Sequence, residues 1–148
     1  MATFIERVPE FIVNHPFIMG AFVLTVTLIA VLEYQRATRV GKPLTPTQAT
    51  RLQNDEDALV IDVRARKDFE SGHVHGAMAL PAREIGQSIH QLQKRGSPPI
   101  ILYDEGGFDA ERAAKTLNKN GFDRLYVIDG GMPAWRKADM PIRAGSEK

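Results

Sequence analysis

Six consecutive residues in the second half of the chain, Asp104-Glu105-Gly106-Gly107-Phe108-Asp109, place three carboxylates around a Gly-Gly pair. A carboxylate can act as the nucleophile in phosphoryl or glycosyl transfer, and three together can be imagined around a cation. Neither chemistry has supporting residues: the chain shows no Gly-rich phosphate motif, no paired metal carboxylates and no Ser/His arrangement. Gly106-Gly107 is too short for a nucleotide-binding loop and reads as backbone freedom. Asp109 reads as the N-cap of a helix beginning at Ala110, a position that favours Asp by roughly 1 kcal/mol. Asp62 and Arg64 carry opposite charges two residues apart and read as a pair that holds neighbouring loops. His73-Val74-His75 puts two imidazoles on one face of an extended strand. No third ligand accompanies them, so no metal is expected there, and no cofactor is expected anywhere. Trp135 reads as an anchor at the edge of the core.

The most decisive residue type is the missing one. Among 148 residues there is no cysteine, which excludes disulfides, thiolate metal sites and cysteine nucleophiles together. The formal net charge is +1. Residues 43–148 hold equal numbers of acidic and basic side chains, and a neutral domain lacks the electrostatic footprint of nucleic-acid binding.

These residues need elements to hold them, and the chain divides in two. From Phe11 to Leu32 there is no formal charge; as a helix this stretch would reach about 33 Å, close to the hydrocarbon thickness of a bilayer. Pro16 suits the first turn of such a helix. A buried core helix is the weaker reading, because the stretch lacks a polar stripe. A cleaved signal peptide would need a basic leader and a small-residue cleavage site; here Glu6, Arg7 and Glu10 precede the run and Glu33-Tyr34-Gln35-Arg36 follow it. Arg36, Arg39 and Lys42 lie after the helix, so the positive-inside bias predicts an N-terminus outside and residues 33–148 in the cytoplasm. Tyr34 and these basic residues fit the interface and anionic headgroups.

Beyond a short linker at Gly41-Lys42-Pro43, Thr45-Pro46-Thr47-Gln48 has the pattern of a capping box and predicts a helix to about Asn54. Apolar runs at Ala58–Val63, Ala77–Leu80, Ile100–Tyr103 and Arg124–Ile128 then alternate with helical stretches near Ile85–Lys94, Ala110–Asn120 and Met132–Ala138. That alternation predicts a parallel sheet covered on both faces, with the functional positions just beyond the strand ends. Those positions are Asp62-Val63-Arg64, Asp104–Asp109 and Asp129-Gly130-Gly131.

The same positions carry a family pattern. IDVRARKDFESGHVHGA (61–77) resembles the opening block of the rhodanese-like family, with Asp62 and Arg64 as its Asp-x-Arg, Asp68-Phe69 as its acid-aromatic pair, and Gly72, His73, Gly76 and Ala77 as its last element. VIDGGMPAWRKADMPI (127–142) resembles the closing block through Gly130, Gly131, Trp135 and Pro141. The resemblance covers roughly residues 44–143. It implies an α/β rhodanese-like domain with a central parallel sheet flanked by helices; the apolar run places one transmembrane helix before it. Together these divide the chain into a tail 1–10, a transmembrane helix 11–34, a basic linker 35–43, the domain 44–143 and a tail 144–148.

Between the blocks the family places a loop that begins with the sulfur-carrying Cys. On the match of residues 100–117, Tyr103 precedes that position, Asp104 occupies it, Gly107 matches the glycine three residues on, and Asp109 stands where sulfurtransferases often have Arg or Lys. In this the chain is similar to single-pass bacterial members that lack the Cys. A carboxylate cannot carry a persulfide, and Asp104, Glu105 and Asp109 together should repel an anionic donor. Asp62, Arg64 and His73 are left with the role of supporting the loop. The expectation is a non-enzyme: an interaction or regulatory module at the cytoplasmic face of the bacterial inner membrane, its partners the lipid bilayer and other membrane proteins. The alternatives are altered chemistry on the acidic loop, or residual sulfurtransferase activity.

Overall fold

In the computed structural model residues 14–145 are described. The expected tail 1–10, residues 11–13 of the expected span and residues 146–148 lie outside them. The chain separates into two compact units, one ending at Arg39 and one beginning at Val40.

The first unit contains helix α1, Pro16–Ala37, with proline in its first turn as expected. None of its residues is buried, and its mean hydropathy is 2.1 over the most apolar window, so it is a candidate membrane span. Its two mid-helix hydroxyls, on Thr25 and Thr27, donate to the carbonyls of Ala21 and Val23 at 2.8 Å. Both polar groups are thereby satisfied within the helix, as an apolar surrounding requires. The helix continues past Tyr34 to Ala37, three residues into the stretch expected as linker.

The second unit is built on a five-stranded parallel sheet. Its strands are β1 (Lys42–Leu44), β2 (Leu59–Asp62), β4 (Met78–Ala79), β5 (Ile100–Tyr103) and β6 (Leu125–Ile128), in the order β1-β6-β5-β2-β4. A separate antiparallel pair joins β3 (His73–Val74) to β7 (Ile142–Arg143). The helices are α2 (Pro46–Glu56), α3 (Arg66–Ser71), α4 (Ile85–Gln93), α5 (Phe108–Lys119) and α6 (Gly131–Lys137), with a 3₁₀ turn at Ala82–Glu84.

Successive side chains of a strand point to opposite faces, and the core divides accordingly. Ile61, Leu102 and Val127 pack on one face with Leu92, Ala114 and Leu117. Val60, Ile101 and Ile128 pack on the other with Phe69, Met132 and Trp135. Both faces are covered, which is why the strands read as continuous apolar runs.

The capping box at Thr45 is present: Gln48 N–H donates to Thr45 Oγ1 at 3.3 Å, and Thr45 N–H donates to Gln48 Oε1 at 2.9 Å. Three expectations need correction. Lys42 and Pro43 are not free linker; they pair with Tyr126 and Val127 as the edge strand β1. The helix expected from Ala110 begins at Phe108, because Gly107, at φ +88°, turns the chain into it two residues earlier. The helix from Pro46 runs on to Glu56 and ends where Asp57 adopts φ +50°.

Candidate functional site

At the carboxyl ends of β2 and β5, Asp62, Arg64 and Asp104 converge. Among the described residues the buried polar and charged side chains are these three and His73. All four were singled out from sequence.

Asp62, at 0% exposure, and Arg64 form the ion pair expected of them. Arg64 Nη2 lies 2.6 Å from Asp62 Oδ2, and Nε donates to the same carboxylate at 3.0 and 3.1 Å. Nη2 also donates to the Gly72 carbonyl at 2.7 Å, and Nη1 reaches Glu105 Oε2 at 3.3 Å. One side chain therefore ties the end of β2 to the turn before β3 and to the loop after β5. Burial works against the Arg64 charge, but the hydrogen-bonded Asp62 carboxylate outweighs it and raises the guanidinium pKa above its ordinary value. Tyr103, against the Arg64 guanidinium at 5.6 Å, accepts the Val74 N–H on its hydroxyl at 3.1 Å. Burial first, and the Asp62 carboxylate next, push the phenol pKa well up.

His73 is packed flat on Phe69 with ring centres 3.7 Å apart, and its Nδ1 donates to the Phe69 carbonyl at 2.9 Å. His75 lies in the turn after β3 and is exposed. The two imidazoles are thus separated by environment, and no group of three metal-ligating side chains occurs among the described residues.

The loop after β5 is organised by Asp104, the residue at which the family resemblance expects a nucleophile. Asp104 is 5% exposed. Its carboxylate accepts the N–H of Gly107 on Oδ1, and those of Asp109 at 2.8 Å and Ala110 at 3.4 Å on Oδ2. These are the otherwise orphaned amides at the start of α5, and a negative charge there is favoured by the helix dipole. Asp104 does the capping that was assigned to Asp109. Asp109 itself sits inside the first turn, 58% exposed, with Arg112 3.7 Å away. The physical reason is the early helix start: with Gly107 at the cap position, the side chain that can fold back over the first amides is the one three residues before it.

The Gly-Gly of the closing block holds this arrangement from below. Met132 N–H donates to the Asp104 carbonyl at 2.8 Å. At Gly131, φ is +57° and a β-carbon would stand 2.3 Å from that same carbonyl oxygen. Only glycine fits. Outward from the loop the side chains present a cleft of about 520 Å³ lined by Arg64, Asp68, Glu105, Phe108, Asp109 and Arg136, among others. Glu105 is 61% exposed at its side chain and Phe108 is 81% exposed. Arg136 was not anticipated as a site residue; nothing in its local sequence distinguishes it, since it reaches the cleft only through the placement of α6. Glu111 was also passed over. Its carboxylate accepts the N–H of Val40 at 2.7 Å and of Gly41 at 3.3 Å.

This chain is similar to several known proteins. The uncharacterized protein YibN of Escherichia coli K12 is 31% identical over 141 residues, covering 95% of this chain and 99% of its own length. A tRNA uridine(34) hydroxylase of Escherichia fergusonii is 30% identical over 115 residues, which span 72% of this chain and 33% of the hydroxylase. In structure, a thiosulfate sulfurtransferase from Pseudomonas aeruginosa superposes with a TM-score of 0.68 at 16% identity, over 80% of this chain and 22% of that one; that likeness concerns the fold. The rhodanese-like domain family matches residues 45–138, a span that contains four of the five strands of the parallel sheet, the Asp62–Arg64 pair and the Asp104 loop, and the chain belongs to that family.

Proposed function

We propose that this protein is a membrane-anchored, catalytically silent rhodanese-like domain that serves as an interaction or regulatory module at the cytoplasmic face of the membrane. The observation that carries the reading is the state of Asp104. The position at which the family resemblance expects a sulfur-carrying thiolate holds a carboxylate, and its oxygens are occupied by amides of its own loop. A group in that condition neither attacks nor carries sulfur, and no cysteine elsewhere in the chain can substitute for it.

The anchor supports the local character of the role. A tethered domain is concentrated beside membrane partners without any new contact. The basic residues Arg36, Arg39 and Lys42 after the apolar helix favour a cytoplasmic domain. No observation favours the hydroxylase activity of the partial relative, which this chain matches over only a third of that protein's length.

The test is affinity capture from membranes with the full chain and with a form lacking residues 1–37. The reading expects membrane proteins to be recovered by the first and lost from the second. Identical partner sets would count against a membrane-local role. A substrate screen comparing wild type with Asp104→Asn addresses altered chemistry: turnover present in the first and absent in the second would replace this reading.

A further inference from the structure

The first amides of α5 are the part of the cleft that could attract an anion. Asp104 already fills them, its carboxylate taking the N–H groups of Gly107, Asp109 and Ala110. What faces outward is decided by the remaining side chains. Four carboxylates and two guanidiniums line the cleft of about 520 Å³. One of the guanidiniums, Arg64, is matched from behind by the buried Asp62 at 2.6 Å. Asp68 is exposed. Glu105 gives Oε2 to Arg64 and still has a side chain 61% exposed, and Asp109, 3.7 Å from Arg112, is 58% exposed. Against these three carboxylates the cleft sets Arg136. Its outward face is acidic.

Phe108 stands among these groups and is 81% exposed, more than any other large apolar side chain described in the domain. Its ring lies against Gly106, where a β-carbon would meet Cδ2 at 3.6 Å. We propose that the cleft docks an arginine-bearing segment of a partner protein, its guanidinium drawn to Glu105 and Asp109 and its aliphatic stem laid on Phe108. The proposal rests on reading the domain as an interaction module, and it gives the partner a chemistry. Charge complementarity selects a cation, and an exposed ring selects one with an apolar body. A guanidinium meets both needs, because it is planar and weakly hydrated, stacks on rings and forks onto carboxylates. A metal ion fits worse: no three metal-ligating side chains gather among the described residues, and a phenyl ring offers a metal no oxygen. An anionic segment would meet three exposed carboxylates of its own sign.

The experiment is an amide NMR titration of the full chain in dodecylmaltoside micelles. The probes are short acetylated and amidated peptides, Gly-Arg-Gly-Arg-Gly and its counterparts with Lys or Glu in place of Arg. The arginine peptide should shift the amides of residues 105–109 and bind more tightly than the lysine peptide, while the glutamate peptide should leave them unmoved. Phe108→Ala should weaken arginine-peptide binding by about threefold, and Phe108→Tyr should restore it. Glu105→Gln combined with Asp109→Asn should weaken it by about fivefold. Arg136→Gln should tighten it, since a like charge leaves the cleft. Unchanged amides at Val60 and Ile101 show in each variant that the sheet is intact. Shifts at 105–109 caused by the glutamate peptide, or by calcium chloride and not by the arginine peptide, would overturn the proposal. So would equal affinity in wild type and Phe108→Ala, or no shift with any peptide. The module reading fails by a different result, identical membrane partner sets for the full and shortened chains, which can occur with peptide binding intact.

Discussion

Both oxygens of Asp104 are committed to the amides of its own loop, so a substitution there acts first on stability. Asp104→Ala leaves three amide donors at the start of α5 without their acceptor and should lower the unfolding free energy by about 2 kcal/mol; Asp104→Asn should cost less. Denaturant titration of the two variants checks this. The acidic surroundings bear on chemistry too. Asp104→Cys should yield no robust persulfide with thiosulfate, because Glu105 and Asp109 still oppose the anionic donor; mass spectrometry of the treated variant decides it. Tyr103 supplies a pH dependence. Its folded pKa lies above the ordinary 10.0, so the neutral phenol stabilises the fold fully below pH 10, and that stabilisation is lost as pH rises above it. Tyr103→Phe should flatten this alkaline slope in thermal melts, while costing about 1 kcal/mol at neutral pH for the Val74 hydrogen bond. The Asp62–Arg64 pair and the place of Asp104 were legible from residue types and the family pattern. The exchange of capping roles between Asp104 and Asp109 was not. It depends on Gly107 adopting φ +88°, a conformation that glycine permits and no neighbour announces.

At the level of elements, the loop is held between α5 and α6. Gly131→Ala would force a β-carbon onto the Asp104 carbonyl and would keep a positive φ that alanine resists. It should destabilise the domain by more than about 2 kcal/mol and broaden the resonances of residues 104–110, measurable by calorimetry and NMR. The strands β2, β4, β5 and β6 were readable from their apolar runs, and α4, α5 and α6 from their own periodicity; the short helix α3 was not. The edge strand β1 and the antiparallel pair of β3 with β7 were not. Lys42–Leu44 becomes a strand only because β6 offers it a partner, and His73–Val74 only because the chain returns at Ile142–Arg143. Pairing of that kind is tertiary, and short segments carry no local sign of it.

For the whole molecule, two physical properties sit in one chain: an apolar helix with no buried residue, and a folded domain in which the carboxylate of Asp104 is buried against the amides of its own loop. The helix predicts that the full chain resists alkaline carbonate extraction from membranes, and that a form beginning at Val40 is released; release of both would remove the anchor. The buried Asp104 bears on the central proposal, that the fold has been kept while sulfur transfer has not. The most direct measurement is intact mass spectrometry of the purified full chain after incubation with thiosulfate, alongside thiosulfate-to-cyanide transfer. The account predicts an unchanged mass and a background rate. A protein heavier by one sulfur atom, and able to pass that atom to cyanide, would contradict it.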